Sequence, residues 1–381
     1  MGALPAKSIG ARLERVRREA RTVPVDALVV THLPNIQYLT GFTGTSGAVV
    51  LSPDDCVLLV DFRYVTAAQE LTASLPAGLV TIGLVERSYD EAIVASLRPA
   101  RDLRIGIEAA YLPVARFNAI SAHLVAGAPT PLSSPNPMPV LVPTERMVER
   151  ARMVKDADEL ATLREAGRRL STIARRLPEL ATAGRTEAEV AGSIEDALRA
   201  AGFSRPAFET IVASGPNSAL PHARPTDRVL RDGEPTVLDF GGVYDGYCVD
   251  LTRTVQLGAP TPAVSRLFAA VLEAQEAAIR AVRPGVRPSE VDAAARQVLE
   301  THGLGKAFGH GTGHGLGLEV HEDPRVAKVT PGQPDAVLEP GVVFTIEPGA
   351  YVRGVGGVRI EDDVVVTAGG CELLTDAPKL M

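Results

Sequence analysis

Apolar positions along this chain change period several times, and each change marks an expected element. Ile9, Leu13, Val16 and Ala20 recur at helical spacing, and the apolar run over 26–30 follows as a strand. Runs 47–51 and 56–61 flank Ser52-Pro53-Asp54-Asp55, residue types that suit a hairpin turn. Further strand-like runs at 79–83 and 103–108 alternate with helical patterns, so the first part reads as an α/β domain with a mixed sheet. Residues 129–143 then hold six prolines, at 129, 131, 135, 137, 139 and 143. Proline fixes φ and lacks an N–H, so this stretch should sustain neither a helix nor a central strand and marks a linker. The expected boundaries are 1–128, a linker over 129–147, and a second domain over 148–381. In that domain Ala157, Leu160, Leu163, Leu170, Ile173 and Leu177 form one helical stripe. A helix over 186–200 is expected with Thr186 as N-cap and Glu189 completing a capping box. Two more helices, about 262–282 and 288–302, and two Gly-rich hairpins complete it.

Composition narrows the class. A chain of 381 residues can hold two or three domains, and 45% hydrophobic with 22% charged residues is the balance of a globular protein. A net charge of −7 argues against a nucleic-acid partner, which favours basic patches. No apolar run approaches the roughly 18–20 residues that span a bilayer. The first residues lack the apolar core of a secretory signal, so no membrane partner and a cytoplasmic location are expected. Three cysteines at no metal-like spacing (Cys56, Cys248, Cys371) read as reduced thiols.

Candidate chemistry sits in the two hairpins. Asp239 and Asp250 lie eleven residues apart in LDFGGVYDGYCVDLTRT, and Glu347 and Glu361 fourteen apart in FTIEPGAYVRGVGGVRIED. Each stretch has a turn signal at its middle, YDG and RGVGG, so each pair of acids is expected to stand opposite across two strands. Opposed like charges destabilise a strand pair, which asks for a compensating cation. Four carboxylates carry −4, the charge of two divalent ions, so a two-metal hydrolytic site is the leading reading. Residues two apart on a strand share a face, so Thr252 is expected to bond Asp250, and Arg359 to pair with Glu361. Of seven histidines, His310, His314 and His321 fall within FGHGTGHGLGLEVHE, and His222 lies in NSALPHARPTD. The glycines among them allow close backbone approach. The stretch lacks the Lys-Ser/Thr of a P-loop and the dinucleotide fingerprint, so phosphate binding is rejected.

In this order, DFGGVYDGYCVDLTRT, GHGTGHGLGLEVHE, TIEPGAY and GVRIEDD resemble the proline-specific Xaa-Pro peptidases of the pita-bread fold, prolidase and aminopeptidase P among them. The resemblance covers the region after the linker, and the first domain is more loosely similar to the family's smaller creatinase-like domain. It implies an α+β fold with a pita-bread catalytic domain behind an α/β N-terminal domain. It implies that Asp239, Asp250, His314, Glu347 and Glu361 ligate two divalent metals, with Asp250 and Glu361 bridging. It also implies that His222, His310 and His321 are active-site histidines outside the ligand set. Arg325, in HEDPR, matches a position where prolidases carry an arginine near the substrate carboxylate. Glu347 is then the expected general base, and His321 and His222 the expected contacts of the transition state. Oxygen-rich donors favour Mn²⁺ or Co²⁺, with Zn²⁺ and Fe²⁺ also fitting. Expected substrates are short peptides with proline second, and the family usually forms homodimers. A dipeptidase is favoured through Arg325, with an aminopeptidase P acting on longer peptides as the alternative and a non-enzymatic binding protein disfavoured by the complete ligand set.

Overall fold

A computed structural model describes residues 6–97, 103–126, 139–332 and 335–379. Two units divide the chain, Met1–Arg152 and Met153–Met381. The first runs α1 (Ala6–Ala20), β1 (Ala27–Val30), α2 (Leu33–Thr40), β2 (Ala48–Leu51), β3 (Cys56–Asp61), α3 (Val65–Ala73), β4 (Thr81–Val85), α4 (Tyr89–Ser96), β5 (Arg104–Glu108), α5 (Val114–Ala126), β6 (Val140–Thr144) and α6 (Met147–Met153). Its sheet has the order β4-β3-β2-β1-β5-β6. The β1–β2 and β2–β3 pairs are antiparallel and the outer pairs parallel, which makes the mixed sheet expected from the pattern. Ile9, Leu13 and Val16 on α1 are fully buried, as their spacing requires. Glu108, at the end of β5, accepts from the backbone N–H groups of Thr31 (2.6 Å) and His32 (2.8 Å), placing a buried carboxylate at the N-terminus of α2.

Prolines 129, 131, 135 and 137 of the expected linker lie outside the described residues. Its later part is a strand, β6, with Pro143 inside it. Among the described residues β6 pairs with β5 alone and ends the sheet, and an edge strand tolerates a residue with no N–H to donate.

The second unit begins with α7 (Ala157–Ala174), α8 (Leu177–Leu180) and α9 (Glu187–Ala200). The helical stripe is interrupted between Ala174 and Leu177, because Pro178 has no N–H to donate to the Ala174 carbonyl four residues earlier and so cannot continue α7. Leu177 remains buried. At α9 the capping box forms: Thr186 Oγ1 accepts from Glu189 N (3.2 Å), and Glu189 Oε2 from Thr186 N (2.8 Å). There follow β7 (Arg205–Pro206), β8 (Ile211–Ser214), β9 (Pro235–Tyr244), β10 (Tyr247–Gln256), α10 (Pro262–Ala281), α11 (Pro288–Thr301), β11 (Gly313–Gly315), β12 (Glu322–Val326), β13 (Val343–Ile346), β14 (Gly349–Val352), β15 (Gly356–Arg359), β16 (Asp362–Thr367) and β17 (Gly370–Leu373). Among the described residues these strands form β10-β9-β7 with β8 also on β9, then β12-β11-β13-β16-β17, and the hairpin β14-β15. The apolar faces of α10 and α11 (Val271, Ala274, Ala278, Val291, Ala295, Leu299) share one core with Phe344, Ile346, Val358 and Val364 of the strands. That core leaves the polar strand ends to form the candidate site.

Candidate metal centre

The β9–β10 hairpin closes on two residues in left-handed conformation, Asp245 (φ 46°) and Gly246 (φ 87°), as the YDG signal predicts. A two-residue turn dictates the register, and it pairs Asp239 with Thr252 and Asp250 with Gly241. Direct opposition of the two aspartates is therefore corrected. They lie two positions apart on one face of the hairpin, with Thr252 beside both. The second hairpin is shorter than expected. β14 pairs with β15 in the register Gly349↔Arg359, and Glu347 and Glu361 lie just beyond its ends. Continued by two positions, that register brings the two glutamates level. Backbone bonds tie them to other strands: Glu347 N donates to Thr312 O (2.7 Å), and Glu361 N to Thr252 O (3.1 Å).

His314 reaches the acids from β11, and its neighbours explain the glycines around it. A Cβ on Gly313 would stand 1.9 Å from Thr345 O, and one on Gly315 2.0 Å from Asp323 O. Only glycine lets β11 lie this close to its neighbours on both sides. His314 Nδ1 faces Gly315 O at 3.0 Å, which requires the proton on Nδ1. The lone pair of Nε2 then points toward Glu347 Oε1 at 3.3 Å and Asp250 Oδ2 at 4.0 Å. Ligand atoms of Asp250, His314 and Glu361 all lie within 4.8 Å of one another.

Both expected partner pairings are exchanged. Thr252 Oγ1 donates to Glu361 Oε2 at 2.6 Å, not to Asp250. Arg359 Nη2 pairs with Asp239, not with Glu361. Residues two apart on a strand do share a face, but these side chains reach across to acids of the other hairpin. Arg359 is 3% exposed, so a cation already stands inside the cluster, and four carboxylates plus one guanidinium sum to −4 + 1 = −3. Burial first, and neighbouring carboxylates second, push Asp250 and Glu361 well above the ordinary carboxyl range. Burial raises Glu347 as well, against the pull of Arg359 and His310. Asp239 Oδ1, Asp250 Oδ1 and Glu361 Oε1 are buried and find no hydrogen-bond partner among the described residues. Orphaned carboxylate oxygens converging on one imidazole nitrogen form a donor set that fits divalent cations.

The other histidines differ in setting. His310 Nδ1 donates to Gly311 O (2.7 Å), so a neutral ring accepts at Nε2 from the Tyr351 hydroxyl (3.0 Å), which in turn accepts from Arg359 Nη1 (2.9 Å). Both ring nitrogens are thereby committed to the protein, and burial lowers the pKa of His310. His321 packs edge-on against His314 with ring centroids 4.4 Å apart; partial burial, then His314, lowers its pKa. His222 is exposed and stands within electrostatic reach of both His310 and His321. Arg325 is the cross-strand partner of His314, so the two side chains leave one face of the sheet. It is exposed and makes no side-chain hydrogen bond or ion pair among the described residues. Cys248 is a buried free thiol, pushed up to about 12 by burial, which disfavours the reactive thiolate.

Three contributors escaped the sequence reading. Thr345 Oγ1 accepts from His314 N (3.1 Å) and donates to Glu347 Oε1 (3.2 Å). Tyr351 joins Arg359 to His310. Asp363, fully buried, accepts from Asp250 N at 3.0 Å. Thr345 stands two before Glu347, so strand periodicity could have flagged it; nothing local marks the other two.

Comparison with known proteins places these features. Residues 161–368 match metallopeptidase family M24, and residues 12–154 match the creatinase/prolidase N-terminal domain. The probable dipeptidase PepE of Mycobacterium tuberculosis is 38% identical over 354 residues, 89% of this chain and 92% of that protein. The solved Xaa-Pro dipeptidase from Bacillus anthracis superposes with a TM-score of 0.88 at 33% identity, over 98% of this chain and 99% of that one. The X-Pro aminopeptidase from Thermotoga maritima gives 0.81 at 32% identity, over 95% and 99%.

Proposed function

This chain belongs to metallopeptidase family M24, with a creatinase N-terminal domain ahead of a pita-bread catalytic domain, and from that premise we propose that it is an Xaa-Pro dipeptidase. The observation that carries the choice of a dipeptide is Arg325. Its guanidinium is exposed, without a protein partner among the described residues, and leaves the same face as His314. A guanidinium there suits the free carboxylate of a two-residue substrate, bound through two parallel hydrogen bonds. In a longer peptide that carboxylate is an amide, and the match is lost.

Asp239, Asp250, His314, Glu347 and Glu361 would hold two divalent ions, Mn²⁺ favoured by the oxygen-rich set. When bound, the ions polarise the scissile carbonyl and acidify the attacking water. The chain supplies the proton movements and the orientation. Glu347, whose buried carboxylate has raised proton affinity, takes the proton from water as oxygen attacks the carbonyl carbon. His321 and His222 face the developing oxyanion and donate N–H hydrogen bonds to it. As the C–N bond breaks, the proton held by Glu347 passes to the proline nitrogen, which leaves as a secondary amine and returns Glu347 to its carboxylate. Thr345 aims Glu347 and Thr252 aims Glu361. His310, committed at both nitrogens, orients Tyr351 and Arg359 rather than exchanging protons with substrate.

The test compares kcat/KM on Xaa-Pro with that on Xaa-Pro-Yaa in Mn²⁺, for wild type and Arg325→Ala. The dipeptide is expected to be the better wild-type substrate, and its turnover to fall about ten- to a hundredfold in the variant while tripeptide turnover changes little. Lys at 325 should not restore it, for want of the second bond. A wild-type preference for the tripeptide, or equal losses on both, reassigns the activity to aminopeptidase P.

A further inference from the structure

The segment carrying His222 is anchored at both ends by one buried acid that stands outside the candidate metal centre. Glu187, the first residue of α9, is fully buried. On one side its carboxylate accepts from Ser214 N (2.7 Å), Ser214 Oγ (2.7 Å) and Asn217 Nδ2 (3.1 Å to each oxygen). On the other it accepts from Thr226 N (3.1 Å) and Thr226 Oγ1 (2.6 Å). None of these partners is charged, so the carboxylate is held by neutral donors alone, and a buried carboxylate is tolerated only when its lone pairs are filled. His222 lies between the two anchored ends.

The middle of the segment is held from the opposite side. Pro221 O accepts from Arg359 Nη1 at 3.0 Å, the same guanidinium that pairs with Asp239. Gly357 N donates to Ser218 Oγ at 2.8 Å, and a Cβ at Gly357 would stand 1.9 Å from Ser218 O, so the helical turn Gly215–Ala219 lies directly on β15. The candidate centre thus holds the middle of the segment, and Glu187 sets where its ends start.

We propose that Glu187 is a positioning residue that fixes, through residues 214–226, where the His222 imidazole stands relative to His310 and His321. This rests on the reading above, in which His222 contacts the substrate during Xaa-Pro hydrolysis. Glu187→Gln keeps the shape of the side chain but replaces an acceptor by an NH₂ group facing donors. The ends of the segment then lose their common anchor.

The experiment is a double-substitution cycle on the Mn²⁺-loaded protein: wild type, E187Q, H222A and both together. kcat and KM on a Xaa-Pro dipeptide are expressed per folded, metal-loaded molecule. H222A is expected to lower kcat/KM, and E187Q to lower it about tenfold in the wild-type background but less than about twofold where His222 is already Ala, with metal stoichiometry unchanged. Equal losses in both backgrounds would make Glu187 a residue of general stability and overturn the proposal. Full activity in H222A would overturn the role of His222 and the positioning claim with it, while wild-type turnover in the same assay still reports on the dipeptidase reading. If E187Q does not fold, Thr226→Val removes one donor hydroxyl and leaves the carboxylate. The cycle run with T226V should show a loss of about threefold that vanishes in the H222A background; a loss that persists there counts against the proposal.

Discussion

Arg359 alters what each acid of the candidate centre needs. With its guanidinium on Asp239, the cluster divides into a carboxylate already paired and three that burial and mutual repulsion push toward protonation or metal. Thr252 serves the other side of that division: its hydroxyl donates to Glu361 and accepts from Arg359 Nε (3.2 Å). Thr252→Val removes both bonds at similar volume, and a titration in metal buffers should show affinity lower by about ten- to a hundredfold. Substituting the proposed groups themselves separates their roles. Asp250→Ala should lose metal and activity together. His321→Ala should keep full metal stoichiometry and lose about a hundredfold in kcat; loss of metal from it would move His321 into the ligand set. At this scale the acids, the histidines and the partner residues were legible as types at spacings. Which threonine or arginine serves which acid was not, because that follows from which hairpin faces which.

Among the elements, the glycines around His314 separate local from tertiary demands. Gly313→Ala places a methyl group against Thr345 O, and overpacking against backbone costs about 1–3 kcal/mol. Denaturant unfolding should show that loss, with lower metal occupancy because His314 moves with its strand. Gly309, four residues earlier, has nothing within 4 Å of a built Cβ, so Gly309→Ala should stay within about 0.5 kcal/mol of wild type. Equal effects at both positions would show that strand approach is not what the glycines serve. The capping box of α9 and the Asp-Gly turn were readable because both are built by neighbours in sequence. The interruption between Ala174 and Leu177 and the edge strand β6 ran against simple periodicity, and the N–H that proline lacks explains each.

For the whole molecule the buried acids tie stability to pH and to metal. An acid whose folded pKa lies above its unfolded value of about 4 favours the fold at low pH and opposes it as pH rises toward the folded value. Asp250, Glu347, Glu361 and Asp363 all have this sign. His310, His314 and His321 have lowered values and cost stability only as pH falls below about 6.5, where the unfolded chain gains their protons. Above that pH the histidines no longer contribute, so the melting temperature of the chelated protein should fall as pH rises toward the folded values of the acids. Mn²⁺ should flatten that slope, restore the hydrolysis that chelation abolishes, and release more protons on binding at the lower pH, measurable by calorimetry in two buffers. A chelated protein that is fully active and free of metal would exclude the two-metal reading. The sequence by itself determined the α+β class, the family, the periodicity of most helices and strands, and the identity of the acids and histidines that meet. Those depend on residue type, on patterns a few positions long, and on the order of four motifs along the chain. Tertiary structure alone decided that the aspartates stand diagonal, that Arg359 neutralises Asp239, that Thr252 serves Glu361, and that Glu187 underpins the segment of His222. Each of those joins residues some forty to more than a hundred positions apart or turns on a shift of two positions in register, and such contacts are selected by the packing of whole strands.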